Sequence, residues 1–484
     1  MQRADKVRPF LRLSLELPLR LSYIGENLSF PTWRFAPAMH SPFRRSVKKT
    51  TLWSVTALCC LLLASGCKKD NNDENNNPPP ASALTSTYSS DVATQWLTKT
   101  YNLVKADSLK PPAASRVYGY AGVALYAAVV SGMPDYNSPN GILNELSGVP
   151  QAESTLEYHW PTVANCALAA VLDSLLPSYS QPEIAALHDQ LAAQYQASLA
   201  AEVFDRSEAF GQSVAAAIVT WAQADGYSTY HNCAYTPPTG DSMWVPTPPA
   251  YAAPLEPCWG QMRTFALLNS DECLPPPNTP FGTSDTCAFY GQANEVYNAS
   301  NNCTPEDSAI VFFWADNPIQ SGTPGGHSIM ITTQVLRNGD FNLETAAEAY
   351  ARVGVAVADA FISCWRAKYI YNLCRPITFI RNNINPTWNS LITTPNFPEY
   401  TSGHSSQSGA AAQVLTDMFG ANYAFVDSTH LPPRSFNSFD DFASEAAISR
   451  LYAGIHYRDA IERGLDEGHC VGARATALPL RSNS

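Results

Sequence analysis

Beyond about position 88, apolar residues recur at helical spacing through most of the chain. The spacing predicts a helix over 89–104. An alanine-rich run predicts a stronger helix over 113–130, after Pro111-Pro112, since proline suits a helix's first turn. Residues 155–176 and 181–224 read as one or more long amphipathic helices interrupted near Pro177. A long helix is predicted over 342–373, with shorter ones over 406–419 and 440–451. The period lapses over 226–305, where Pro, Gly and Cys gather. Alternating strand patterns are scarce and no repeat is evident. The fold class is therefore all-α: a helical bundle over 89–484 with a long irregular Cys/Pro-rich insertion at 226–305.

Charge and composition add an export signal to this picture. Hydrophobic residues make up 45% of the 484 residues and charged ones 15%, which excludes a disordered chain. The net charge of −12 excludes a basic nucleic-acid binder. Residues 1–69 nevertheless carry 12 Lys/Arg against 3 Asp/Glu. Arg44, Arg45, Lys48 and Lys49 form a basic cluster, and the apolar run 51–63 that follows is too short to span a bilayer comfortably. Leu63-Ala64-Ser65-Gly66-Cys67 then resembles a bacterial lipobox, with Cys67 as the lipidation site. Residues 39–67 are thus expected to be a lipoprotein signal. Residues 68–88, rich in Asn, Asp and Pro at their start, are expected to be a solvated tether. Translation is expected to start at Met39, with 1–38 either upstream sequence or a genuine extension. The expected location is the periplasmic or cell-surface side of a bacterial membrane, held by the lipid.

Cysteine usage agrees with export. Cys233, Cys258, Cys273, Cys287 and Cys303 crowd the insertion without any CxxC pair. Disulfides are the expected role rather than a zinc site. Cys166 and Cys364 lie in apolar helical patterns and are expected to be buried.

Three motifs in the C-terminal third carry the chemistry. In KYIYNLCRP, Lys368 and Arg375 are seven residues apart, which returns to the same helix face, and Pro376 is expected to end that helix. Two cations held together among apolar neighbours call for an anion between them. In FPEYTSGHS, Ser402 and Gly403 open a helix whose N–H groups and dipole suit an anion, and His404 is placed to act on it as general acid or base. In SRLYAGIHYRD, Arg450 adds a forked cation, His456 a nucleophile or ligand, and Asp459 a carboxylate to orient that ring. Singly, each also fits a plainer role: a solvated face, a helix cap, a buried histidine.

In spacing and order these motifs resemble the signature of the vanadium-dependent haloperoxidases and the related type 2 phosphatidic acid phosphatase superfamily: K-x6-RP, then PSGH, then SR-x5-H. The flanks YNLCRPITFIR and FPEYTSGHS, the run 113–130, and Phe312-Phe313-Trp314-Ala315-Asp316 with Thr323-Pro324-Gly325-Gly326-His327 lean to the haloperoxidase branch. The resemblance spans roughly 90–470, with 226–305 poorly covered. It implies that Lys368, Arg375, Arg450, Ser402 and the Gly403 N–H bind the oxygens of vanadate or phosphate, and that His456 is the vanadium ligand. His404 then helps deprotonate hydrogen peroxide, and Phe397 stands beside the halide. Vanadate is the implied cofactor, with hydrogen peroxide and a halide as small-molecule substrates.

The same residues allow an acid phosphatase, which needs no cofactor: His456 attacks phosphorus to give a phosphohistidine, and the substrate is a phosphoester. A lipoprotein that only binds anions is the third reading. An integral lipid phosphatase is disfavoured because no run of 18 apolar residues occurs. The chain departs from the signature in four places: Thr401 stands for Pro, Cys374 for an aromatic, and Gly326 for a Pro before His327. Asp459 falls three rather than four residues after the last histidine.

Overall fold

The computed structural model describes residues 82–482. The expected signal, Cys67 and the start of the tether lie outside the described residues. Residues 82–88 pack on the body rather than continuing the tether: Thr85 is buried and donates to the Val129 carbonyl, and Ser82 bonds the 156–158 backbone.

The described chain is a helical bundle, as the apolar period predicts. The first helices are α1 (Asp91–Ala106), α2 (Pro111–Val129), α3 (Trp160–Leu175), α4 (Gln181–Gln196) and α5 (Ala201–Gln223). Helix α3 starts later than the period suggests because Pro161 occupies its first turn, where a missing N–H costs nothing. After the single turn α6 (Tyr227–Tyr230) come α7 (Ala288–Asn301), α8 (Pro305–Phe313), α9 (Thr323–Asn338) and α10 (Leu343–Tyr371). Thr304 and Asp307 form a reciprocal capping box on α8. The chain ends with α11 (Pro376–Asn383), α12 (Gly403–Phe419), α13 (Phe439–Tyr452) and α14 (Arg458–Thr476). Between α12 and α13 a small antiparallel hairpin pairs β1 (Phe425–Asp427) with β2 (Arg434–Phe436), Phe425 opposite Phe436.

Helix α10 is the axis of the bundle. It is buried on nearly every side, and its small residues let neighbours come close. A Cβ added at Gly122 of α2 would lie 2.2 Å from the Tyr350 carbonyl of α10, so only glycine permits that crossing. Gly468 of α14 makes the same close approach to Ser406 of α12. Two charged residues are fixed within this core. Arg352 pairs with Glu348 at 2.9 Å and donates to the carbonyls of Ala475, Thr476 and Leu478, which ties the end of α14 to α10. Asp359 accepts the N–H groups of Phe265, Ala266 and Leu267.

Those last bonds belong to the insertion, which is more ordered than the sequence pattern suggests. It contains α7, whose Phe289, Ala293 and Val296 form a buried stripe at helical spacing. Cys233–Cys258 closes a loop inside it, and Cys273–Cys470 fastens it to α14. Cys287 and Cys303, expected to share in the stapling, are free thiols, while Cys166 and Cys364 are buried as expected. The insertion also grips the end of α10: Trp244 N–H donates to the Asn372 carbonyl and Cys374 N–H to the Ser242 carbonyl. No described helix is long and apolar enough to cross a membrane.

Candidate active site

The three motifs meet in space, though not by the helical geometry the spacing suggests. Helix α10 ends at Tyr371, where Asn372 turns left-handed. Arg375 is the N-cap of α11, and Pro376 starts that helix rather than ending the previous one. Lys368 and Arg375 are therefore on different elements. They converge because both point at the Phe397 ring, with Lys368 Nζ at 5.0 Å and the Arg375 guanidinium at 4.8 Å from its centroid.

Lys368 is fully buried. Its ammonium donates to the carbonyls of Pro398 and Glu399 at 3.1 and 3.0 Å and to that of Thr401. These bonds hold the 398–401 loop and leave Lys368 acting on the site as charge. Burial pushes its pKa down to about 8. Arg375 donates to the Phe397 and Ile455 carbonyls and to His456 Nε2 at 3.1 Å, while its Nη2 is buried with no partner. Arg450 donates to Ser449 Oγ and the Val311 carbonyl. Burial lowers both guanidinium pKa values to about 10, Arg450 being supported by nearby Asp316 and Arg375 by Glu399.

His456 is oriented by Glu399, not by Asp459. Its Nδ1 donates to Glu399 Oε1 at 2.8 Å, and the same oxygen accepts the Tyr457 N–H at 2.9 Å. With a carboxyl at Nδ1 and the Arg375 donor at Nε2, the ring carries its proton on Nδ1 and offers a lone pair at Nε2. Burial, and then the positive charges of Arg375 and Lys368, push the His456 pKa well below its ordinary value. Glu399 is pushed up to about 8 by burial, against the pull of Arg375 and Lys368. Asp459 faces away: its Oδ2 accepts the N–H and hydroxyl of Thr279, and the insertion holds it there. The expected catalytic role of Asp459 is thus withdrawn. Glu399 stood in the quoted FPEY run, a lone acid among apolar neighbours, and that was the available signal.

Helix α12 delivers the second motif. Ser402 caps it by accepting the Ser405 N–H, and Ser402 N–H donates to Ala460 on α14. Glu467, on α14, accepts hydroxyls from Ser363, Thr401 and Ser406, locking this turn between α10 and α14. His404 hydrogen-bonds to the Trp314 backbone, and its Nε2 is buried without a partner. Burial, then Arg450, holds its pKa well below the ordinary value, so the ring is neutral and able to take a proton. Gly403, His404, Arg450 and His456 line a cavity of about 290 Å³, with Lys368, Arg375 and Ser402 behind them. Phe397 also lines it, packed 4.9 Å from Trp365. The residues fit a tetrahedral oxyanion. Arg375 Nη2 and His404 Nε2 are orphaned polar atoms of the kind that a ligand satisfies, and Gly403 leaves bare backbone at the cavity.

His327 belongs to α9. It is buried between two acids, Nδ1 donating to Asp316 at 2.9 Å and Nε2 to Asp427 at 2.7 Å, and it stacks on Trp314 at 4.4 Å. His430 donates to the other Asp316 oxygen at 3.0 Å. Asp316 lines the cavity, so this cluster supports its wall. Although burial opposes it, the two carboxylates raise the His327 pKa to about 10. A pKa raised above the ordinary 6.5 contributes stability that is complete below 6.5 and is lost as pH rises through about 10. His327→Gln, which leaves two buried acids facing each other, is expected to lose about 3–5 kcal/mol at pH 7. In urea unfolding followed against pH, the gap to wild type should narrow towards pH 10. A gap that does not change with pH contradicts an imidazolium there.

Known proteins share this fold. Residues 348–482 match the family described as the VCPO second helical-bundle domain. A crystal structure titled as the first bacterial vanadium-dependent iodoperoxidase is 36% identical, with a TM-score of 0.77, covering 81% of this chain and 97% of that one. A bacterial vanadium-dependent chloroperoxidase in its apo form is similar in fold, with 18% identity and a TM-score of 0.60 over 76% of this chain and 93% of that one. The vanadium chloroperoxidase of Curvularia inaequalis is 26% identical over 192 residues, which span 33% of this chain and only 32% of that protein. The chain belongs to the vanadium haloperoxidase family.

Proposed function

We propose that this protein is a vanadium-dependent haloperoxidase, an oxidoreductase that uses hydrogen peroxide to oxidise a halide. The observation that carries this reading is the His456 ring, set between Glu399 and Arg375 so that Nε2 offers its lone pair at a cationic, buried site. Vanadate, when bound, would supply a Lewis acid that activates peroxide towards halide. Arg375, Arg450, the Ser402 hydroxyl and the Gly403 N–H are the groups that would hold its oxygens, and Lys368 adds charge from behind. Their donors lie in a buried site where each counts for more than in water. His456 Nε2 would be the ligand to the metal. His404, neutral and with Nε2 free, takes the proton of hydrogen peroxide as it enters. Phe397 and Trp365 present an apolar wall to the halide. The phosphatase and anion-binding readings have no observation that favours them over this one.

Iodide is the halide to test first, because the 36% identical relative is titled an iodoperoxidase. With orthovanadate, hydrogen peroxide and iodide, triiodide formation is expected for wild type and for Asp459→Asn. His456→Ala is expected to lose about 100-fold or more. Equal rates for His456→Ala and wild type contradict the assignment.

We also propose that the protein is exported and anchored through Cys67, on the strength of the lipobox-like LASGC run and the asparagine-rich stretch after it. Expressed in a bacterium with labelled palmitate, wild type is expected to take up label and partition into detergent, and Cys67→Ser to do neither. Label retained by Cys67→Ser overturns the anchor.

A further inference from the structure

We propose that a second cavity, between the start of α1, the start of α3 and the end of α4, binds a neutral sugar, with one pyranose ring lying against aromatic side chains. Asp91 in the first turn of α1 lines this cavity, while Lys110 and Pro111, just beyond its last turn, line the active-site cavity. The 16 residues of α1 span about 24 Å, so a ligand here takes no direct part in the chemistry at His456.

The size suits one ring. The cavity is about 190 Å³. An apolar cavity of about 150 Å³ admits benzene. A pyranose is likewise a six-membered ring, and its hydroxyl groups take up the extra room and the open side, where Ser89, Asp91 and Gln194 are exposed.

The walls supply aromatic and apolar surface. Tyr88 and Tyr195 both contact the His159 ring edge-on, at 5.1 and 5.0 Å between centroids, so three rings form one side. Val92, Pro161 and Leu191 add a buried apolar floor. The electron-rich face of an aromatic ring suits the polarised C–H groups of a sugar. These rings are held before any ligand arrives. The Tyr88 carbonyl accepts the Leu343 N–H at 2.8 Å, and the His159 N–H donates to the Ser207 hydroxyl at 2.9 Å. A ligand therefore loses little affinity to ordering them.

The polar groups decide the ligand class. The Gln95 and Gln194 amides and the Tyr88 and Tyr195 hydroxyls line the cavity and make no hydrogen bond within the described protein. Each amide offers two donors and an acceptor, and each hydroxyl can donate or accept. Asp91 adds a carboxylate, one oxygen of which accepts the Ser89 hydroxyl at 2.8 Å. The N-terminal ends of α1 and α3 both reach the cavity and offset that single charge. Burial pushes the His159 pKa down to about 4, so its ring adds no charge at neutral pH. Among the described residues no Lys or Arg lines the cavity, which disfavours an anion. An organic cation would engage Asp91 and leave both amides and both hydroxyls unmatched. A sugar carries several hydroxyl groups, each a donor and an acceptor, and matches the mixed set.

The test is saturation-transfer NMR, with glucose, galactose and mannose titrated separately into the purified protein at millimolar concentrations. At least one is expected to bind saturably. Gln95→Ala and Gln194→Ala each remove an amide that bonds nothing in the protein, so both should unfold at the wild-type temperature and weaken binding about three- to tenfold. Tyr195→Ala, which removes a wall, should weaken it further. Choline, a cationic probe of the same cavity, is expected not to bind. If none of the three hexoses binds, the sugar site is overturned. Hexose binding that is unchanged in all three variants also overturns it, because the sugar then sits elsewhere. Saturable choline binding without hexose binding, lost in Tyr195→Ala, overturns it in favour of a cation site.

Discussion

Burying like charges together governs this structure. Lys368, Arg375 and Arg450 are each at most 1% exposed, and removing such ions from water costs several kcal/mol apiece. The scaffold offsets this with fixed dipoles. Backbone carbonyls of 398, 399 and 401 surround the Lys368 ammonium, and those of Phe397 and Ile455 take up Arg375. Glu399 is bonded to His456 rather than to a cation, while Asp316 supports Arg450 from the cavity wall. The result is a site with positive charge left over, which suits an oxyanion and keeps both histidines neutral.

The rest of the fold follows from holding that arrangement. Helix α10 brings Lys368 through the core, and its glycine crossing with α2 makes the core dense enough to be rigid. Helix α14 locks the 401–406 turn through Glu467, and the same helix is fastened to the insertion by Cys273–Cys470. On the far side, Asp316, His327 and Asp427 form a second charged layer that steadies the wall beside Arg450. The insertion closes the remaining side, so the cavity is made by segments far apart in the chain.

Legibility followed the strength of local signals. Helices with long apolar stripes, α2 and α10 above all, were readable to within a few residues. Helices α7, α9, α11 and α14 were not marked. Asn and Gln dilute the stripe of α7, Gly-Gly-His interrupts α9, and α11 is short. Helix α14 is polar on one face, with Arg458, Glu462, Arg463 and Asp466 all carrying charge outward. Lys368, Arg375, Ser402, Gly403, His404, Arg450 and His456 were all singled out in the sequence because their motifs are local, and the fold brings them together. The orienting acid was not. Glu399 lies 57 residues from His456, so the pair is visible only in three dimensions, whereas Asp459 was attractive because it was near in sequence. The Lys368–Arg375 spacing met its expected end by another route, through a helix break at Asn372. His327 and Asp427, 100 residues apart, were beyond local inference for the same reason.

Glu399 fixes His456 as a lone-pair donor inside a cationic cradle. The direct test is titration of orthovanadate into phosphate-free wild type, Glu399→Gln and Asp459→Asn, followed by calorimetry. One vanadate per wild-type chain is expected, with unchanged affinity in Asp459→Asn and binding weakened about 10- to 100-fold in Glu399→Gln, the range found when a ligand's orienting partner is removed. Wild-type affinity in Glu399→Gln together with loss in Asp459→Asn would contradict it.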